Sequence, residues 1–143
     1  MPALADLRVA DVMRPRPFTL PAHLRASDVA VLIDRERVRH VLVVDDAHRL
    51  VGLINRARLL RYLVAWRLAD GLIDDVPVGD LLVANVTTIG PDAPVAEAVA
   101  TMRRLRIGSL PVVDEGGAVV GLVSERMLLP YAEAVLCGTA VPV

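Results

Sequence analysis

The sequence predicts an α/β protein of two pseudo-symmetric repeats, each a β-α-β-β-α unit preceded by a short helix, packed sheet to sheet. Three observations carry this. Residues 9–60 align on residues 78–129 at a constant offset of 69, with 13 of 52 positions identical. Chance in a chain this rich in Val, Ala and Leu would give about five. The identities also fall on punctuation: Val43-Val44-Asp45 on Val112-Val113-Asp114, Val51-Gly52-Leu53 on Val120-Gly121-Leu122, and Leu59-Leu60 on Leu128-Leu129. Finally, each half alternates helical spacing with short apolar runs of strand length.

Each repeat opens with a short amphipathic turn, Val9–Met13 or Val78–Leu82, followed by a brief extended piece, Phe18–Leu20 or Val86–Ile89. A helix comes next. Val29, Leu32 and Ile33 mark its apolar face in the first repeat; Val95, Ala98, Val99 and Met102 mark it in the second, behind the start signals Asp92, Pro94 and Glu97. An apolar strand follows, Val41–Val44 or Leu110–Val113, then a turn, Asp45–His48 or Asp114–Gly117, in which Gly116-Gly117 supplies positive φ. The return strand is Leu50–Ile54 or Val119–Val123. The last helix runs from Arg56 to about Ala69, or from Ser124 to about Leu136, where Pro130 is expected to kink or interrupt it. Residues 61–77 join the repeats, with the helix ending near Gly71 and a turn at Asp74, Asp75 and Pro77. The strands are apolar on both faces and so covered on both. The domain division is 1–71 and 72–143.

Composition removes several function classes. All 16 basic residues are Arg, against 17 acidic ones, for a net charge of −1. Without Lys there is no Schiff base and no P-loop lysine. Net charge, 3% aromatics and the lack of a helix-turn-helix or RNA-binding signature speak against nucleic acid. His23, His40 and His48 have no metal spacing. Asp45-Asp46 and Asp114-Glu115 sit in hairpin turns, where Asp belongs for backbone reasons. Cys137, the only cysteine, has no partner for a disulfide and suits a reducing compartment. No apolar run nears the ~20 residues of a membrane span, and Met1–Leu20 holds no signal-peptide pattern. A soluble cytoplasmic protein that is not an enzyme is expected. Hydrophobic content of 55% exceeds the usual 45–50%, which fits either a subunit interface or a large core.

The ordered set Val9-Ala10-Asp11-Val12-Met13, Ser109-Leu110-Pro111-Val112-Val113-Asp114 and Gly121-Leu122-Val123-Ser124, repeated at fixed spacing, resembles the CBS domain family over residues 9 to about 129. The resemblance implies a tandem pair (a Bateman module), commonly a homodimer. It implies adenosine-type regulatory ligands (AMP, ADP, ATP or S-adenosylmethionine) in clefts between the repeats. The family's return strand ends in Gly-h-h-Thr/Ser-x-x-Asp, whose carboxylate takes the ribose hydroxyls. Here Asn55 and Arg58 occupy the hydroxyl and carboxylate positions of the first repeat, and Ser124 and Met127 those of the second. Neither repeat keeps the carboxylate; Arg accepts no hydrogen bond and Met only weakly.

The resemblance assigns phosphate contacts to the residues before the middle strand, here Arg39-His40 and Gly108-Ser109, and adenine-edge contacts to the backbone near Thr19 and Thr88. Read by themselves, Thr19 and Thr88 are strand threonines, His40 is a half-buried residue at a strand start, and Arg39, Arg56 and Arg58 are solvated ends. Arg35 and Arg37, repeated as Arg104 and Arg106, suit helix C-termini. Two functions remain open: a nucleotide-sensing module acting in trans on an unidentified partner, or a ligand-free pair that dimerises and docks a protein through Leu59–Leu68, with Tyr62 and Trp66.

Overall fold

The computed structural model describes residues 4–83 and 85–137. A 3-10 turn at Leu4–Asp6 precedes α1 (Val9–Val12), β1 (Arg14–Pro15), β2 (Thr19–Pro21), α2 (Ala26–Glu36), β3 (His40–Val44), β4 (Leu50–Asn55) and α3 (Arg56–Ala69). A second 3-10 turn, Val78–Leu81, leads to α4 (Val95–Leu105), β5 (Ser109–Val113), β6 (Val119–Ser124) and α5 (Glu125–Cys137). Cys137 closes α5, and its side chain lies outside the described residues.

Two compact units form: Phe18–Val86, and Met1–Pro17 together with Thr87–Val143. The division 1–71 and 72–143 follows the repeats along the chain; in space, each repeat gives its opening segment to the other's unit. The cause is apolar surface on segments too short to hold themselves. Four-residue α1 buries Val9 and Val12 with Val95, Ala98, Met102, Leu110 and Val123. Val78 buries with Val29, Ile33, Val41, Ile54 and Leu59.

Within Phe18–Val86 the sheet order is β2-β3-β4, with β2 parallel and β4 antiparallel to β3, and Val83 bridges Leu53 at the β4 edge. In the other unit the order is β1-β6-β5, and Ile89 bridges Val112 in parallel at the β5 edge. The two patterns coincide at the offset of 69. So do the register shifts, between Val43 and Val44 and between Val112 and Val113.

One expected element differs. Phe18–Leu20 becomes β2, whereas Val86–Ile89 shrinks to the bridge at Ile89. In the first repeat Leu42 N–H donates to Phe18 O at 3.4 Å. Its counterpart is Pro111, which has no N–H, so that rung cannot form. Pro130 does not interrupt α5. Pro130 and Arg126, whose carbonyl is the one left without a helical donor, are both exposed. Of the Gly116-Gly117 pair, only Gly117 takes positive φ, at 85°, matched by His48 at 62°.

One of the two repeated arginine pairs has a structural role. Arg37 and Arg106 are the left-handed C-caps of α2 and α4, at φ 55° and 54°. Asp45 Oδ1 accepts from the N–H groups of Ala47 and Arg49, both at 2.9 Å. Asp114 Oδ1 accepts from those of Gly116 and Ala118 at 2.9 and 3.0 Å. These carboxylates organise turns, and among the described residues no cluster of metal-ligating side chains is found.

Asp75 ties the segment after α3 to its own unit. Its carboxylate accepts from the Ser27 hydroxyl, from Ser27 N–H at 3.3 Å and from Tyr62 Oη at 2.9 Å, while Tyr62 Oη accepts from Val76 N–H at 2.9 Å. It thus caps the first turn of α2 from a distant part of the chain. Burial acts to raise the Asp75 pKa, but the Ser27 and Tyr62 hydrogen bonds, with help from Arg25, leave it below the ordinary carboxylate value of 3.8. A depressed folded pKa contributes stability above the unfolded value, lost as pH falls through the folded one. Asp75→Asn is therefore expected to cost about 1–2 kcal/mol near neutral pH. The difference from wild type should close on acidification below about pH 4 in urea titrations.

Candidate functional site

Apart from Thr19 and Thr88, the sequence-selected residues gather at two poles, one in each unit, where the return strand passes into the last helix. At the first, the register pairs His40 with Asn55 across β3 and β4, and Arg56 N–H donates to Arg39 O at 3.0 Å. At the second, Ser109 pairs with Ser124 across β5 and β6, and Glu125 N–H donates to Gly108 O at 3.0 Å. The backbone device is the same in both, because each hairpin returns its strand beside the residues that precede its mate.

At the first pole Asn55 is the N-cap of α3, with its side chain accepting from Arg58 N–H at 2.7 Å. The position of the family's hydroxyl is thus engaged in capping. Arg56 Nη2 donates to Asp34 Oδ1 at 2.7 Å, and its buried Nε has no partner among the described residues. Arg39 and Arg58 are exposed, and His40 is half-buried. Burial, reinforced by the Arg39 charge, lowers the His40 pKa below 6.5 and favours neutral imidazole. Thr19 lies further along the sheet on β2, opposite Leu42.

At the second pole Ser109 is buried, Ser124 and Met127 are half-buried, and Gly108 is exposed. A Cβ built on Gly108 would lie 3.7 Å from Glu125 Oε2, so the Glu125 carboxylate sits beside the strand entrance. Thr88 is exposed next to the Ile89 bridge. The structure thus brings Arg39, His40, Asn55 and Arg58 together, and likewise Gly108, Ser109, Ser124 and Met127. Thr19 and Thr88 stand apart on the edge segments. The sequence offers Glu125 as a carboxylate two positions before Met127, in a different direction on the helix; its approach to Gly108 depends on the return of the hairpin.

An apolar groove also runs between α4 and α5, lined by Val95, Val99, Met102, Leu128, Leu129 and Tyr131. It belongs to the helical face and meets the second pole only at Glu125.

The CBS domain profile matches twice, over residues 9–65 and 78–133. The chain belongs to the CBS domain family. As a CBS pair it superposes on the Vibrio cholerae protein AcuB with a TM-score of 0.74 and 28% identity, covering 91% of this chain and 93% of that one. It superposes on CBSX2, solved in complex with AMP, with a TM-score of 0.75 and 23% identity, covering 90% and 98% of the two chains. It is 29% identical over 123 residues to the A-adding tRNA nucleotidyltransferase of Aquifex aeolicus, covering 86% of this chain and 14% of that protein. The CBS pair therefore spans a minor part of such curated relatives. No helix among the described residues is long and apolar enough to cross a membrane.

Proposed function

We propose that this CBS pair is a regulatory module that senses an adenosine-type nucleotide or related metabolite, among AMP, ADP, ATP and S-adenosylmethionine, and acts in trans on a partner protein as a cytoplasmic homodimer. The observation that carries the reading is the pair of equivalent poles, each offering side chains at the start of a last helix. The AMP complex of CBSX2, of the same fold, supports the ligand class. Regulation then requires that the ligand favour one of two arrangements, typically by 1–3 kcal/mol.

A second reading, a ligand-free pair used for dimerisation and docking, is favoured by Arg58 and Met127 at the carboxylate positions and by exposed Val64 and Leu68 on α3. Thermal unfolding against the four ligands separates them. At 100 times its Kd a ligand adds about 2.7 kcal/mol, a rise of several degrees for a chain of this size. A shift with one of the four upholds the sensing module. An unmoved transition across all four moves the assignment to docking.

A further inference from the structure

We infer that α5 is a strap with a second position, closed against α4, in which Glu125 pairs with Arg103 and Tyr131 bonds to Asp6. The pattern for the closed position is the unit of Phe18–Val86, which has the same elements at the offset of 69. There α3 packs along α2: Leu59 is fully buried, Arg56 Nη2 donates to Asp34 Oδ1 at 2.7 Å, and Tyr62 Oη donates to Asp75 at 2.9 Å. The equivalents of Leu59, Arg56, Asp34, Tyr62 and Asp75 are Leu128, Glu125, Arg103, Tyr131 and Asp6. The backbone keeps this correspondence as far as the segment of Asp6. Val95 N–H donates to Leu7 O at 3.0 Å, as Ala26 N–H donates to Val76 O at 2.8 Å.

The partners are chemically matched, yet they stand apart. The two charges are exchanged between the units, Arg103 for Asp34 and Glu125 for Arg56, so the attraction is kept. The tyrosine and the aspartate of the second contact keep their places. Among the described residues, however, no ion pair joins Arg103 to Glu125 and no hydrogen bond joins Tyr131 to Asp6. Helix α5 stands off α4 and leaves the apolar groove, which both Arg103 and Glu125 line. Leu128 is only half-buried there, and Leu129 is 56% exposed where its equivalent Leu60 is half-buried. Glu125 Oε2 lies 3.7 Å from the place of a Cβ on Gly108, a position without a side chain where the first repeat has Arg39. Of the neighbouring charges, Arg104 lines the groove and adds to the pull on Glu125, while Arg126 lies about 100° round α5 and is not part of the groove. Closure joins opposite charges, gives the Tyr131 hydroxyl an acceptor and takes Leu129 out of water. It also withdraws Glu125 from Gly108. The position of α5 therefore couples the second pole to the helical face. The inference goes beyond the sensing reading, and its test uses no ligand.

The test is hydrogen exchange of the full chain, read at the amides of Glu125–Ala132, because a docked helix opens less often than one that stands free. Arg103→Glu is expected to quicken exchange there about threefold, with α3 unchanged as the internal reference. Tyr131→Phe should quicken it by a similar factor. Arg103 and Glu125 are both exposed, so reversing either charge leaves the core intact. The deciding variant carries both reversals. Glu125→Arg quickens exchange by itself, since it also sets a cation at the start of the helix. Adding Arg103→Glu to it should slow exchange about threefold, the opposite of its effect on the wild-type chain. No change with Arg103→Glu, equal quickening in both backgrounds, or no change with Tyr131→Phe overturns the inference.

Discussion

Gly121→Val is expected to lower stability by about 3 kcal/mol or more, through overpacking against a segment that cannot retreat. A Cβ at Gly121 would overlap Met13 Sδ and stand 3.0 Å from Met13 Cγ and 3.1 Å from Arg14 O. Met13 is flexible and can give way. The Arg14 carbonyl cannot, because Arg14 is in register with Leu122 and Pro15 with Gly121. Valine adds two methyl groups to a Cβ that already has no room. Gly52 faces the same arrangement, with Leu82 Cδ1 and Val83 O both at 3.0 Å. Gly52→Val should act in the same direction. Gly90→Ala is the control: nothing lies within 4 Å of its Cβ position, its φ is not positive, and its effect should stay within about 0.5 kcal/mol. Equilibrium urea unfolding reads all three. A Gly121→Val protein as stable as wild type would mean that β1 does not rest on β6.

The two glycines also show what the sequence could and could not disclose. Their recurrence, inside Val51-Gly52-Leu53 and Val120-Gly121-Leu122, was visible and helped to define the repeat. Why glycine is needed was not, because the crowding atoms come from residues 13–14 and 82–83, far away in sequence. The elements themselves were legible because each has its own period and punctuation: Val95, Ala98 and Met102 bury one face of α4, and β3 is buried from Val41 to Val44. Strand loss at Val86–Ile89 was in principle readable from Pro111, but only once Pro111 was known to stand opposite that segment. At the poles, the basic character of Arg39, His40 and Arg58 was legible, and their convergence followed from the hairpin. The capping role of Asn55 and the pairing of Arg56 with Asp34 depend on rotamers and on packing between elements, for which a sequence carries no period.

Val78→Asp tests the exchange of opening segments, and its effect should appear in the first repeat rather than in the second, where the residue lies. Val78 is fully buried among Val29, Ile33 and Leu59; its N–H donates to Leu24 O at 2.7 Å, and that of Gly79 to Ala22 O at 3.0 Å. An unpaired carboxylate there costs about 3–5 kcal/mol unless it takes up a proton or the segment leaves its seat. Leaving removes the cover from α2 and β3, so hydrogen exchange should quicken at amides of Ala26–Glu36 and His40–Val44, with β5 and β6 much less affected. Val9→Asp should mirror this. It lies in the first repeat but is buried with Ala98, Met102 and Leu110, so it should loosen α4 and β5. If each substitution loosened its own repeat, the opening segments would belong with the helices that follow them in sequence. If each loosens the other repeat, then one repeat expressed alone lacks part of its own core, and the smallest unit able to fold is the pair.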